Sequence, residues 1–316
     1  MEGYLSQSTK TFDISAIILS YNTKDVTLRC VKELVSSIKK SNLKAQIIVV
    51  DNASTDGSAE ALAELKPDGV EYILVKNNEN VGFSRGNNIG LKKSTGKYIL
   101  YLNSDVLVNS SENIPNWTEL LERLNSDKSV AGLTVRVNLQ NGKIDPASHR
   151  GFPTPSRSLW YFLGLEKLVE KIKKTDHKLK KIFGGYHLLH LDVKKEHEIE
   201  ACTAAFFLVA ADVAVGLEGF DEQFFMYGED LDLCYRIYES GKKLLWFPKY
   251  SVTHLKYQSG IGAKSEHTKM KIKKAFYEAM WIFYNKHYKK KYGKVVTYVT
   301  WVGINLLSLI KTGSFL

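Results

Sequence analysis

Four short apolar runs fill the first hundred residues, each ending in a polar cluster and leading into a helical pattern, and few folds accommodate that order. Residues 14–20 are almost continuously apolar, as expected of a parallel strand covered on both faces. Val26, Cys30, Val31, Leu34, Val35 and Ile38 then recur at helical spacing. Residues 47–50, 70–75 and 98–102 supply three more strand patterns. Such repeated units predict an α/β fold, a parallel sheet with helices on both faces. Ligands of these sheets bind beyond the carboxyl ends of the strands. The polar clusters fall there: Tyr21-Asn22, Asp51-Asn52, the loop 77–88, and Asp105.

Beyond residue 105, patterns predict a helix over 116–124, a strand over 130–137, a strand over 204–210, a helix over 231–240 and a strand over 244–247. Residues 151–195 read as an insertion, with a basic amphipathic helix around Trp160, Leu163, Leu168, Val169 and Ile172. The chain is expected to divide near residue 262 into a main domain and a helical tail, 263–316. In the tail, 269–291 is basic and aromatic, and 295–310 is apolar apart from Thr, Tyr, Gly, Asn and Ser positions. A membrane span needs roughly 20 apolar residues. This run is shorter and contains Asn305, so it is expected to lie on or dip into a membrane face, with packing on the core or a true span as the alternatives.

The formal charge is +10, with lysines crowded at 167–181 and 269–294. Either these form a solvated basic face or they draw the protein to an anionic membrane or a phosphorylated substrate. Nucleic acid is not expected, because Phe276, Tyr277, Trp281, Phe283 and Tyr284 recur at helical spacing rather than as single-strand stacking platforms. Cys30, Cys202 and Cys234 are odd in number and form no C-x-x-C pair, which argues against a disulfide scaffold or zinc site. The polar residues 1–11 lack the apolar core of a secretion signal, so a cytoplasmic protein is expected.

Several residues suit chemistry. Asp105 follows Asn103 by two positions at a strand end, which puts both side chains on one face. A carboxylate there suits a hard cation such as magnesium or manganese, which shares its oxygen ligands with substrate phosphates; a simple turn aspartate is the other reading. Asp51 suits hydrogen bonding to a base or ribose, while Ser54 and Asp56 resemble helix caps. The loop 80–88 offers backbone amides and Arg85 to phosphates, although it matches neither the G-x-G-x-x-G fingerprint nor the Walker loop. Glu229, Asp230 and Asp232 crowd a predicted helix start. The helix dipole favours acids there, yet acids beside Phe224-Phe225-Met226-Tyr227 would also gain the basicity of a general base. His254 follows the strand pattern 251–253, as a core histidine or as a ligand completing a metal site with Asp105. His149, His187, His190 and His197 have no matching partner in sequence.

Taken in order, these segments resemble the inverting glycosyltransferases of family 2, which have the GT-A fold, and among them the bacterial rhamnosyltransferase-like members. The matching segments are Ile17-Ile18-Leu19-Ser20-Tyr21-Asn22, Val49-Val50-Asp51-Asn52-Ala53-Ser54-Thr55-Asp56-Gly57, Asn80-Val81-Gly82-Phe83 with Gly86-Asn87-Asn88, and Leu102-Asn103-Ser104-Asp105. Gly219-Phe220-Asp221-Glu222, Phe225-Met226-Tyr227-Gly228-Glu229-Asp230-Leu231-Asp232-Leu233-Cys234 and Val252-Thr253-His254 complete the set. The resemblance implies a Rossmann-like, mostly parallel sheet with a C-terminal helical extension. It implies transfer of a sugar, rhamnose in the nearest members, from a dTDP- or UDP-linked donor to a hydroxyl of a glycan or polyprenyl-linked acceptor in cell-surface polysaccharide synthesis. By the same resemblance Ser20, Tyr21, Asn22 and Asp51 hold the nucleoside. Asn52, Gly82, Phe83, Arg85, Asn87 and Asn88 contact the diphosphate or sugar, together with Asn103 and Ser104. Asp105 and His254 bind Mg2+ or Mn2+, Asp230 is the catalytic base, Glu229 supports it, and Asp232 is a structural cap. Asn103 replaces the first acid of the family's D-x-D, which weakens the metal site. The insertion matches no family motif and reads as an acceptor lid. The protein is then expected at the inner face of the cell membrane, where a homodimer is compatible with everything above. A non-catalytic sugar-nucleotide-binding relative, and a basic membrane-surface binding protein, are the other classes.

Overall fold

The computed structural model describes residues 11–172, 176–256 and 266–316. The polar leader and the expected division near 262 therefore lie outside or at the edge of the described residues. The first half is built from β1 (Phe12–Ser20), α1 (Lys24–Ile38), β2 (Ala45–Asp51), α2 (Ser58–Ala63), β3 (Glu71–Lys76), α3 (Phe83–Lys93) and β4 (Gly96–Asn103). Its strands run parallel in the order β3-β2-β1-β4. β2 is buried along its whole length, which is why its sequence shows no polar alternation.

The chain continues through β5 (Val106–Leu107), α4 (Trp117–Ser126), β6 (Val130–Leu139), α5 (Pro155–Phe162), α6 (Leu165–Lys171), α7 (His177–Phe183), β7 (His197–Ile199), β8 (Phe206–Ala210), α8 (Ala211–Gly216), α9 (Glu229–Glu239), β9 (Lys243–His254), α10 (Glu266–His287) and α11 (Lys294–Thr312). Past β4 the sheet changes direction. β8 lies antiparallel between β4 and β6, β6 and β9 are parallel, and β9 carries β7 on its first half and β5 at its end.

Alternate strand residues feed two cores. Ile14, Ala16 and Ile18 pack with Cys30, Leu34, Trp117 and Leu120 from α1 and α4. Ile17, Ile48 and Val50 face the opposite layer, which holds Leu91 of α3, Leu233 and Ile237 of α9, and Ala279 and Phe283 of α10. The result is a three-layer sandwich in which α10 belongs to one covering layer.

Three sequence expectations change. The single amphipathic helix of the insertion is three short helices: Gly164 takes a left-handed φ of +75° and ends one helix as it starts the next. Of the apolar residues in that pattern Val169 is buried, whereas Leu163, Leu168 and Ile172 are all about half exposed or more. The runs 244–247 and 251–253 are one strand, because β6 skips from pairing Phe247 to pairing Ser251 and so absorbs the irregularity as a bulge.

Candidate active site

The carboxyl ends of β1, β2 and β4 are stapled together. Asn22 and Ala53, directly after β1 and β2, both take left-handed φ angles, +51° and +63°, which non-glycine residues adopt rarely and mostly at functional turns. The Asn22 amide donates to Ser54 Oγ at 2.9 Å, and Thr55 N returns a bond to Asn22 Oδ1 at 2.7 Å. Ser20 Oγ pairs with Thr27 Oγ1 at 3.0 Å, and Ser104 Oγ lies 3.5 Å from Thr23 Oγ1. Asp51 is buried. Its Oδ2 accepts from Ser54 N, whereas Oδ1 has no partner among the described residues. A buried carboxylate oxygen without a donor carries a desolvation cost, and a ligand hydroxyl or imide would remove it.

The structure reassigns the polar loop expected to cradle phosphates. The Asn52 side chain donates to Asn80 Oδ1 (2.8 Å) and to the Gly82 carbonyl (3.2 Å), and accepts from Asn77 Nδ2 and Val81 N. That uses both donors and both acceptor sites of the amide, so the Asn52 side chain shapes the loop. Asn88 gives both its amide hydrogens to the Phe220 carbonyl and Glu222 and accepts from Phe220 N, and Asn87 bonds back to the Phe83 carbonyl within α3. Val81, Gly82 and Phe83 give their amides to Asn52, Asn80 and the Phe225 carbonyl. Gly82 sits at φ +86°, and a Cβ there would lie 2.7 Å from the Phe225 carbonyl oxygen. The loop is thus clamped to the segment 220–225 that leads to the acids. Arg85 alone of the residues assigned to the diphosphate keeps a largely exposed polar head, in a loose 3.9 Å pair with Glu222.

Asp105 and His254 meet because β5 pairs antiparallel with the end of β9, Val106 opposite His254. His254 Nε2 lies 3.2 Å from Asp105 Oδ1, and its Nδ1 lies 2.9 Å from Asp145 Oδ2. Asp145 is fully buried and also holds Lys256 at 2.9 Å. It was not legible as a site residue; its only sequence signal was an Asp-Pro turn. Burial pulls the His254 pKa down, but the hydrogen bonds to Asp105 and Asp145 reverse that and lift it to about 9. Burial pushes Asp145 up, yet His254 and Lys256 hold it well below the usual carboxylate range. The donor set, one carboxylate oxygen and one imidazole nitrogen backed by a second carboxylate, fits a cation that takes the rest of its shell from water and diphosphate. Cation binding would release the His254 proton. Among the described residues no group of three or more His, Cys, Asp or Glu side chains forms a complete metal cage.

The acids are divided by their surroundings. Tyr227 and Gly228, at φ +70° and +80°, turn the chain into α9. Asp230 is nearly buried; its Oδ2 accepts from Arg150 at 2.8 Å and its Oδ1 from Leu231 N at 2.7 Å. Arg150, which no sequence signal marked, is itself buried and also donates to the Cys202 carbonyl. Burial opposes its charge, but Asp230 more than compensates. Glu229 is the acid that gains basicity: burial first, then the neighbouring Asp230 charge, push its carboxyl up to about 8. Its Oε2 is buried and has no partner among the described residues. Asp232 is not a cap. It is fully buried and ion-paired to Arg236, Lys286 and His287, each at 2.7 Å, so it anchors α10 to α9. The insertion histidines also have partners: His149 Nε2 meets His197 Nε2 at 2.7 Å, and His187 bonds Glu166 at 3.0 Å.

The profile of Glycosyl transferase family 2 matches residues 15–178. The chain belongs to that family. It is 24% identical over 82% of its length to the rhamnosyltransferase WbbL of Escherichia coli K12, covering 90% of that protein. It is 26% identical over 73% of its length to the low-salt glycan biosynthesis hexosyltransferase Agl10 of Haloferax volcanii, of which it covers 63%. Among solved structures, 85% of this glycosyltransferase superposes on residues 1–349 of S. aureus TarS in complex with UDP-GlcNAc, with a TM-score of 0.55, 14% identity and 65% of that chain covered. The mannosyltransferase PcManGT of Pyrobaculum calidifontis, solved with GDP-Man and Mn2+, gives a TM-score of 0.52 at 16% identity, over 90% of this chain and 66% of that one. The fold is GT-A: a central mixed sheet flanked by helices, with C-terminal helices added.

Proposed function

We propose that this family 2 glycosyltransferase performs a single inverting displacement with Asp230 as general base. The observation that carries the reading is the buried Glu229-Asp230 pair at the start of α9, with Asp230 tied to Arg150 at 2.8 Å. Arg150 and the Leu231 amide fix the carboxylate from two sides and leave lone pairs for an acceptor hydroxyl. That hydroxyl loses its proton to Asp230 as it attacks the anomeric carbon, and the nucleoside diphosphate leaves from the opposite face. No covalent nucleophile is needed. Glu229, protonated in its buried setting, positions the acceptor. Asp51 and the Ser20–Asn22 turn hold the nucleoside, Asn103 and Ser104 line the donor side, and Arg85 meets the diphosphate. A magnesium or manganese ion at Asp105 and His254 would neutralise charge on the leaving group.

The donor we favour is dTDP-rhamnose, supported by the relation to a rhamnosyltransferase, with UDP-linked sugars second, supported by the fold shared with a UDP-GlcNAc-bound protein. The acceptor is a glycan or polyprenyl-linked sugar at the cytoplasmic membrane face, where the C-terminal helices hold the enzyme as a peripheral protein. Asp230→Asn tests the assignment. Removing a positioned general base costs on the order of 10²–10⁴ in turnover, while donor binding, read as a thermal shift with sugar nucleotide, stays as in the unaltered protein. Full turnover in the variant refutes it.

A further inference from the structure

We propose that the insertion helices α5–α7 and helix α11 form one face that binds a bilayer of anionic phospholipid, with headgroups held by a basic aromatic groove between α10 and α11. The proposal rests on reading the protein as one that works at a membrane surface, and it adds the insertion as the second half of the attachment.

α11 leaves most of its apolar surface outside. Its buried residues are Ile304, Asn305, Ser308 and Thr312, while Val295, Tyr298, Val299, Leu306 and Ile310 are exposed. The buried polar groups are satisfied locally: Asn305 Nδ2 donates to the Trp301 carbonyl at 2.9 Å, Asn305 Oδ1 accepts from Leu316 N, and Ser308 donates to the Ser314 carbonyl. A helix in water places its apolar stripe inward; this one buries three polar side chains and leaves most of its apolar ones exposed. It has 19 residues at mean hydropathy 1.4.

The insertion shows the same arrangement. Leu159, Phe162, Leu163, Leu168, Leu179 and Ile182 are exposed on α5–α7 and the Leu163 link. Exposed Lys167, Lys171, Lys178 and Lys181 lie among them. Contiguous apolar surface of this kind marks a binding face.

The two regions are joined through a run of rings. Phe152, just before α5, meets Tyr235 with centroids 4.7 Å apart, Tyr235 meets Tyr288 at 5.7 Å, and Tyr288 meets Tyr292 at 5.6 Å in the turn between α10 and α11. Arg157 of α5 also lies within electrostatic reach of the Tyr288 and Tyr292 hydroxyls. The adjoining cleft, about 370 Å³, is lined by Trp281, Lys289, Lys294, Thr297, Tyr298 and Trp301.

Charge selects the occupant. Residues 286–316 hold six lysines and no acid; Lys286 and Lys291 pair with Asp232 and Glu239, while Lys289, Lys290, Lys294 and Lys311 are exposed, so a second copy of this chain would meet like charge, whereas anionic headgroups complement the surface. Aromatic side chains with lysines beside them suit the boundary between headgroups and acyl chains. α5, where the face begins, starts five residues after Arg150, which holds Asp230, so a lipid-linked acceptor would be presented near the carboxylate pair.

Sedimentation of the full chain with vesicles tests this, using equal parts phosphatidylglycerol and phosphatidylcholine against phosphatidylcholine alone. The pairs Val299→Asp with Ile310→Asp, and Leu163→Asp with Leu168→Asp, should each weaken binding to the anionic vesicles by about tenfold or more, since each removes two inserted side chains. Lys289→Gln with Lys294→Gln should weaken it mainly on the anionic vesicles. All six positions are exposed, so melting temperatures should hold and mark the variants as folded. If the Leu163/Leu168 pair binds like the unaltered protein while the α11 pair does not, the two-part face is overturned and tail attachment stands. If the unaltered protein ignores anionic vesicles, or elutes as a dimer that Val299→Asp with Ile310→Asp dissociates, the membrane reading itself is overturned.

Discussion

Replacing Glu229 by glutamine should change stability in a pH-dependent way whose sign is fixed by the site. The Glu229 carboxyl rises from an ordinary 4.5 to about 8 in the folded protein, through burial and then the Asp230 charge. A carboxyl with a raised folded pKa favours folding below its unfolded value, and that contribution is lost as pH rises through the folded one. One pKa unit corresponds to about 1.36 kcal/mol, so the full span sets a ceiling of about 5 kcal/mol against the folded protein at high pH. Glutamine has the same shape and never ionises. Its amide nitrogen, however, enters a pocket where Oε2 has no partner among the described residues, at a cost of about 1–3 kcal/mol. Glu229→Gln should therefore be neutral to destabilising near pH 4.5 and more stable than the unaltered protein by about 2–4 kcal/mol at pH 9. Urea unfolding across that range, followed by tryptophan fluorescence, measures it. A difference that stays flat between pH 4.5 and pH 9 would refute the claim that this carboxyl holds its proton near neutrality.

Asp232→Ala should cost about 3–5 kcal/mol, because it leaves Arg236, Lys286 and His287 without their shared anion. Burial pushes Asp232 up, but His287, Arg236 and Lys286 hold it at about 2, so the contribution is present above pH 4 and fades as pH falls toward 2; the gap between the melting temperatures of the two proteins should be wide at pH 7 and narrower at pH 2.5. Asp105→Ala should abolish the manganese-dependent part of sugar-nucleotide binding, read by titration calorimetry with and without the metal, and an unchanged metal effect would remove Asp105 from the site.

How much of this was legible in the sequence can be argued residue by residue. Apolar runs at 14–20 and 47–50 dictated buried parallel strands, because only a strand covered on both faces tolerates such runs, and the polar residues after them marked the ligand edge. Asp105 was visible as a strand-end acid. The roles of the loop 80–88 were not, since Asn52 and Asn88 are defined by partners at Gly82 and Phe220 that only folding brings within bonding distance. Arg150 and Asp145 carried no motif at all.

The succession of strands and helices along the first hundred residues and the crowding of acids at 229–232 were therefore determined by sequence alone, because periodicity and helix-start chemistry are local. Which of those acids is neutral, which is paired and which is an anchor was decided by tertiary structure. A carboxyl's proton affinity depends on burial and on charges a few ångströms away, and here those come from Arg150 for Asp230 and from α10 for Asp232. The same holds for α11: composition made it apolar, but only tertiary structure decided that Asn305, Ser308 and Thr312 are buried beside Ile304 while most of its apolar side chains stay exposed.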